Sequence, residues 1–449
     1  MSAKDNQSFD LLVRGGIVAT ASGIAQADIG VLGGRIAAIG SFPGAKAAET
    51  FEARGLHVLP GAIDSQVHFR EPGSEHKEDL ESGSRAAVLG GITAVFEMPN
   101  TSPPTTSREA IDDKLARAKN RMHCDYAFYA GATPANIAEL AVLEKLPGVC
   151  GIKAFLGSST GTLLLSKPED IFAALKSGTR RVAVHSEDED RLIARKAFAE
   201  RGKPATHPIW RDVETARAST ERVLALAKKA GRRLHVLHVT TGDEIPLLAA
   251  AKDFATAETT PQHLTLSAPD CYERLGGYAQ MNPPIRDESH RQALWQAVRE
   301  GVIDVIGSDH APHTRDEKNK TYPDTPSGMP GVQTLVTLLL DHVNKGDMSL
   351  ERFVDLTAYG PQRIFGLAGK GRIARGWDAD FTIVDMNHTR TIENSWIASR
   401  CGWTPFDGMK TKGWAVATIL RGQIVMRDFA LAAASRGQPL RFVETLQPS

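Results

Sequence analysis

The chain has 449 residues, and its 53 Lys and Arg are matched by 53 Asp and Glu, so its formal charge at pH 7 is zero. That balance leaves no surplus for a nucleic-acid or anionic-membrane surface, and no apolar run approaches the ~18 residues needed to span a bilayer. The first ten residues, MSAKDNQSFD, lack the apolar core of a signal peptide, and four scattered cysteines form no CxxC pair, which is the pattern of reduced thiols. The composition therefore predicts a soluble, cytoplasmic protein that works on small molecules.

Residues 9–58 are short β-like runs broken by glycine turns, such as LLVRGGIVAT and ADIGVLGGRIAAIG. The same texture returns late in the chain in GRIARGWDADFTIVDM and GWAVATILRGQIVMRDF. We expect the two ends, 1–58 and 369–449, to pair into one small β-sandwich domain.

Between them, over 59–368, apolar β runs alternate with helical patterns. The runs are GAIDSQVHF, GITAVFEMPN, CDYAFYAGA, GIKAFLG, RVAVHSE, LHVLHVTTG, ATAETTPQHL and DVIGSDHAP. Stretches such as ETARASTERVLALAKKAG and SHRQALWQAVREG carry the apolar spacing of amphipathic helices. The pattern predicts an α/β protein built on a (β/α)₈ barrel, since such barrels run to about 250 residues or more. A doubly wound open sheet is the rival, but it calls for a Gly-rich phosphate loop after its first strand, and the chain has none there.

Polar residues fall where the barrel rule puts chemistry, at the C-terminal ends of strands: His68, Asn100, Lys153, His185, His238 and Asp309. An isolated histidine is more often a satisfied core or loop residue, but this joint placement is hard to reach by accident. Imidazoles and carboxylates converging from several strands suit zinc, manganese or cobalt. Lys153 is the odd member, because an ammonium group repels a metal. It must be neutral, displaced, or converted by carbon dioxide to a carbamate whose two oxygens bridge two cations; the plain alternative is a salt-bridged lysine.

Other polar features have simpler readings. The SEDED run after His185 reads as a helix start, where acidic residues are favoured. His76 and His263 lie beyond strand ends without an argued role, and His57, His207, His235, His290 and His342 look structural or solvated. The GSSTG run at 157–161 is either an ordinary turn or a loop that closes over substrate. In GAIDSQVHFREPG, residues 61–73, strict alternation places Asp64, Gln66, His68 and Arg70 on one face and Ser65, Val67 and Phe69 on the other.

Together GAIDSQVHFREPG, EMPNTSP, GIKAFLGSSTG, VAVHSED, LHVTTGDE, TPQHL, MNPPIR and GSDHAPHTRDEK resemble dihydroorotases of the amidohydrolase superfamily. The likeness extends over almost the whole chain, including the late TPFDGMKTKG segment. It implies that His68 and Asp309 hold one metal, that His185 and His238 hold a second, and that Lys153, as a carbamate, bridges them. Zn²⁺, one or two ions per chain, is the implied cofactor. Arg70, Asn100 and His313 would hold a substrate carboxylate, Asn282 would meet the pyrimidine ring, and Asp309 would carry the catalytic proton. The implied reaction is the reversible cyclisation of N-carbamoyl-L-aspartate to L-dihydroorotate in pyrimidine biosynthesis, by a homodimer. Hydantoinase-like or allantoinase-like action is the alternative, as is service as a non-catalytic partner of aspartate transcarbamoylase. The family pattern places histidine at both ends of an HxH pair. This chain has Gln66 at the first.

Overall fold

The computed structural model describes residues 8–159 and 163–446. Five strands open the chain: β1 (Ser8–Thr20), β2 (Gly23–Leu32), β3 (Arg35–Gly40), β4 (Lys46–Glu52) and β5 (His57–Pro60). Eight more follow: β6 (Ala62–Val67), β7 (Ile92–Glu97), β8 (Asp125–Gly131), β9 (Val149–Phe155), β10 (Val182–His185), β11 (Leu234–Val236), β12 (Ala255–Thr259) and β13 (Val305–Ile306). Four close it: β14 (Phe381–Thr391), β15 (Lys410–Leu420), β16 (Gln423–Arg427) and β17 (Ala430–Leu431).

Strands β6 to β13 pair in parallel in chain order, one for each run read from the sequence. Every residue of β6, β7, β8 and β9 is buried, as strands covered on both faces must be, and this is why they read as continuous apolar runs. The first and last strands meet at the top. The His68 N–H donates to His310 O at 2.7 Å, and the Ser308 N–H donates to Asp64 Oδ1 at 2.9 Å. The eight strands thus form a parallel (β/α)₈ barrel. Helices lie where the spacing predicts them, at Arg108–Ala118, Val213–Ala230 and Glu288–Glu300. The second of these is capped by Asp212, whose side chain accepts from the Thr215 N–H, and ends at Gly231 with a left-handed φ of 69°, a conformation glycine adopts without strain.

The bottom of the barrel is filled. Phe96 packs edge-on against Phe365 at 4.9 Å between centroids, and Tyr129 and Phe442 complete the cluster. Phe442 arrives on the C-terminal tail, which is held by Tyr126 N–H to Gln438 O and Leu440 N–H to Tyr126 O. Polar chemistry is left to the opposite, C-terminal face.

The two chain ends form the separate β domain. Its nine strands follow the order β17-β16-β15-β14-β5-β1-β2-β3, with β4 added to β1. The join is antiparallel pairing of β14 with β5, which sets Ile383 against Val58. Leu11, Val31, Phe51, Phe381 and Ile419 share one core, so the sheet closes around it. The chain passes from this sheet to the barrel at Gly61, where a Cβ would lie 2.4 Å from Thr93 Oγ1 and 2.9 Å from Asp380 Cβ. Across the joint the buried Lys370 Nζ meets Asp380 at 2.6 Å, Asp378 at 3.2 Å, and Asp125 at the start of β8. Among the described residues no helix is long and apolar enough to cross a membrane.

Candidate active site

At the top of the barrel one cavity has Gln66, His68, Arg70, Asn100, Lys153, His185, His238, Asn282 and Asp309 among its wall residues. Every residue singled out from the sequence reaches it except His313, which stands one step behind Arg70. Three of the wall residues have left-handed backbones: Arg70 (φ 63°), His238 (φ 36°) and Asp309 (φ 45°). Such conformations cost a non-glycine residue about 1–3 kcal/mol and collect where function demands a particular side-chain direction.

The candidate ligands form two pairs. His68 Nε2 lies 3.2 Å from Asp309 Oδ1. The other ring nitrogen of His68, Nδ1, is 2.7 Å from Asn100 Oδ1. Because an amide oxygen only accepts, the neutral ring carries its proton on Nδ1, and Nε2 then sets its lone pair against the Asp309 carboxylate, as two ligands of one cation would. In the second pair His185 Nδ1 and His238 Nε2 face each other at 3.1 Å. His185 donates its Nε2–H to Glu187 Oε2 at 2.8 Å, so its Nδ1 also carries a lone pair. Burial lowers the pKa of all three imidazoles, which keeps them in the neutral form that a metal requires.

Among the described residues no three His, Cys, Asp or Glu side chains make a metal site by themselves. Lys153 is the group that can unite the two pairs. It is 1% exposed, and its Nζ lies 4.4 Å from the Phe155 ring centroid with no salt-bridge partner among the described residues. A positive charge there would act on His68, His185 and His238. Burial pulls its pKa down to about 7, against the attraction of Asp309 and Glu258. A buried amine without an ion-pair partner, about half of it neutral at pH 7, is the chemistry a carbamate needs.

Gln66 is 1% exposed. Its Nε2 donates to Asp309 Oδ1 at 2.9 Å, and its buried Oε1 has no hydrogen-bond partner among the described residues. The converging lone pairs, Lys153 and this orphaned oxygen fit a divalent cation. Strict alternation along β6 does not hold, however. The ladder to β7 slips between Asp64 and Val67, and Ser65, expected on the other face, hydrogen-bonds Glu258 inside the barrel.

Arg70 is 5% exposed, yet no carboxylate of the described protein pairs with it. Its Nε donates to Pro312 O at 3.2 Å, and its Nη2 lies 3.3 Å from His313 Nε2. Burial lowers its pKa only to about 10, so it stays charged at pH 7. His313 backs it, 3.1 Å from Ser327 O and 3.3 Å from Lys77 Nζ.

Several site residues escaped the sequence reading. Glu187, within SEDED, binds His185, while its neighbour Asp188 is the helix cap that the run suggested. Burial pushes Glu187 up, but Arg211 and His185 outweigh it and hold its pKa at about 2. His207 is fully buried and donates to Asn282 Oδ1 at 2.9 Å, which turns the Asn282 amide nitrogen toward Ser159. His263 reaches Pro283 O at 3.1 Å. His76 is exposed beside Glu317. Of the 157–161 run, Thr160 and Gly161 lie outside the described residues. Ser158 is held by Glu189, through its N–H and its hydroxyl.

The inner cavity opens into an outer one of about 610 Å³. Ser159, Asn282 and Ser327 belong to both walls. Leu192, Ile193, Trp210, Pro323 and Pro326 give the outer cavity an apolar side, and Lys196 and Glu189 a polar one.

A parallel barrel with three buried imidazoles, a buried lysine and a carboxylate at its strand ends is the frame of a metal-dependent hydrolase. Residues 57–425 match the model of the Amidohydrolase family, and the chain belongs to that family. It is 40% identical over 374 residues to a dihydroorotase of Halobacterium salinarum, covering 82% of this chain and 86% of the relative. It is 37% identical to an allantoinase of Rubrobacter xylanophilus, covering 97% of this chain and 98% of that one. Among solved structures an L-hydantoinase (dihydropyrimidinase) from Arthrobacter aurescens superposes with a TM-score of 0.91 at 30% identity, over 96% of this chain and 99% of the other. These matches make the protein a cyclic amidohydrolase.

Proposed function

We propose that the protein is a dihydroorotase, interconverting N-carbamoyl-L-aspartate and L-dihydroorotate with one or two zinc ions at Lys153, His68, Asp309, His185 and His238. The observation that carries this reading is Arg70, a buried guanidinium in the cavity wall without a protein carboxylate. A buried cation left unpaired is costly, so its natural partner is an anionic substrate, and its planar donor set suits a carboxylate. Dihydroorotate has a carboxylate on its ring. Hydantoin and allantoin rings have none.

A divalent cation supplies Lewis acidity toward a carbonyl oxygen and makes water a usable nucleophile near neutral pH. The chain's residues do the rest. Arg70 fixes the substrate by its carboxylate, and Asn282, with its amide oriented by His207, offers an N–H to a ring oxygen. Asp309, held by Gln66, takes the proton from water as the new C–O bond forms and returns it to the ring nitrogen as the C–N bond breaks. Cyclisation is the reverse. The setting that goes with this reading is cytoplasmic.

The outer cavity favours a second reading, action on a cyclic amide with a larger substituent, because the inner cavity has only about 20 Å³ free and the outer space of about 610 Å³ that must take the rest of the ring also has room for a substituent. Turnover of L-dihydroorotate, allantoin and 5-substituted hydantoins by zinc-loaded protein separates the two. Dihydroorotate should have the highest kcat/KM; preference for a substituted hydantoin or allantoin overturns the dihydroorotase reading, and no turnover of any overturns both.

A further inference from the structure

Arg211 and Glu187 take no part in the reaction described above, yet they are among the most buried charges in the protein, at 2% and 0% exposed. Glu187 Oε2 accepts the Nε2–H of His185 at 2.8 Å. Arg211 holds the same carboxylate through Nε, at 3.0 and 3.1 Å from its two oxygens, and through Nη2. Its Nη2 also donates to Ser158 O at 2.7 Å. Ser158 stands three residues beyond β9, the strand that carries Lys153, and His185 ends the adjacent strand β10. The Arg211 backbone is fixed in turn, since its carbonyl accepts from Arg286 Nη1 at 2.9 Å.

This arrangement has two consequences for His185. The carboxylate holds the proton on Nε2, so Nδ1 must present a lone pair toward His238. The shared guanidinium also ties the loop leaving β9 to the exit of β10, beyond the ladder that sets Lys153 opposite Ala183. A carboxylate behind a metal-binding imidazole orients the ring and raises its basicity. Here the carboxylate is itself aimed by an arginine that touches the loop leaving the neighbouring ligand strand.

We propose that Glu187 and Arg211 form a positioning pair that sets the His185 tautomer and ties the exits of the two ligand-bearing strands together, so that metal affinity depends on residues outside the ligand set. The inference rests on the metal-centre reading given under Proposed function.

The test is titration of metal-free protein with Co²⁺, followed by its visible absorption and by competition with a chelator, with the thermal midpoint of the metal-free protein as a folding control. Glu187→Gln and Arg211→Met should each weaken Co²⁺ binding roughly tenfold to a hundredfold and alter the absorption band. The double variant should be no weaker than the worse single one, because both act through one chain of contacts. Glu214→Gln, which breaks a surface pair with Arg217 and touches neither Ser158 nor His185, should bind Co²⁺ as the wild type does. Arg211→Lys keeps the charge and serves if Arg211→Met does not fold; it should fall between. Wild-type affinity and spectrum in Glu187→Gln overturn the inference alone, as do variant losses explained by an equal fall in thermal midpoint. Wild-type protein that takes up no Co²⁺ overturns the metal-centre reading, and this inference with it.

Discussion

Gln66 and Asp309 are joined across the seam of the barrel, where the last strand returns to the first, by a 2.9 Å hydrogen bond from Gln66 Nε2 to Asp309 Oδ1. By the resemblance to dihydroorotases, Gln66 stands where an HxH pair would have its first histidine. It therefore orients the Asp309 carboxylate and leaves only a neutral oxygen for a cation. Glutamine oxygen is a poorer zinc ligand than imidazole.

The metal content should be asymmetric. During graded chelation, elemental analysis should show one ion per chain leaving early and one held with His185 and His238. Gln66→His should raise the early-leaving occupancy without abolishing turnover. Gln66→Ala should keep the tight ion but lower kcat roughly tenfold to a hundredfold, since a hydrogen bond to a charged group contributes about 1.5–3 kcal/mol. Two equally tight ions in wild type, unchanged in Gln66→Ala, would mean that Gln66 only fills space.

Arg70 offers a direct test of the substrate. Losing a buried charge-assisted contact costs on the order of 2–5 kcal/mol, so Arg70→Met should cut kcat/KM for dihydroorotate about thirtyfold or more. Dihydrouracil, which lacks the carboxylate, should be a poor substrate for both forms. Wild type that prefers dihydrouracil would give Arg70 another purpose.

The barrel was legible in the sequence because strands covered on both faces must be apolar throughout. Even β13, only Val305–Ile306, announced itself through DVIGSDHAP. Ligand candidates were legible because a barrel puts its chemistry at strand ends. What lay hidden depends on contacts between distant segments. Glu187 looked like part of a helix start because its neighbour is one, and only the fold brings Arg211 to it from 24 residues away. His207 looked structural for the same reason: its partner Asn282 is 75 residues further on. The slip in β6 that turns Ser65 inward is a matter of ladder register, which residue type does not encode.

The joint between the two domains gives a stability prediction. Lys370 sits among Asp125, Asp378 and Asp380, all nearly buried. Lys370→Met would leave carboxylates buried without their counter-charge, and breaking such a network costs about 3–5 kcal/mol. The first unfolding transition in urea should move to clearly lower concentration. Adding Asp378→Asn and Asp380→Asn should recover part of the loss, because it removes the stranded charges. A Lys370→Met protein as stable as wild type would show that Arg421, which also pairs with Asp125, suffices alone.

Lys153 joins the electrostatics of the site to its chemistry, and the sign of its pH dependence follows from its burial. Desolvation disfavours the ammonium form and brings the pKa down to about 7. Below that pH the amine is protonated and cannot take up carbon dioxide; above it the amine is free to do so. In metal-free protein supplied with ¹³C-bicarbonate, a carbamate carbon signal should therefore grow as pH rises through about 7 and fade as it drops. Lys153→Ala should lose that signal together with most metal and activity. Short carboxylic acids should restore some of both by filling the gap between the two half-sites. Full metal content and turnover in Lys153→Ala, or a carbamate signal that survives the substitution, would remove Lys153 from the centre.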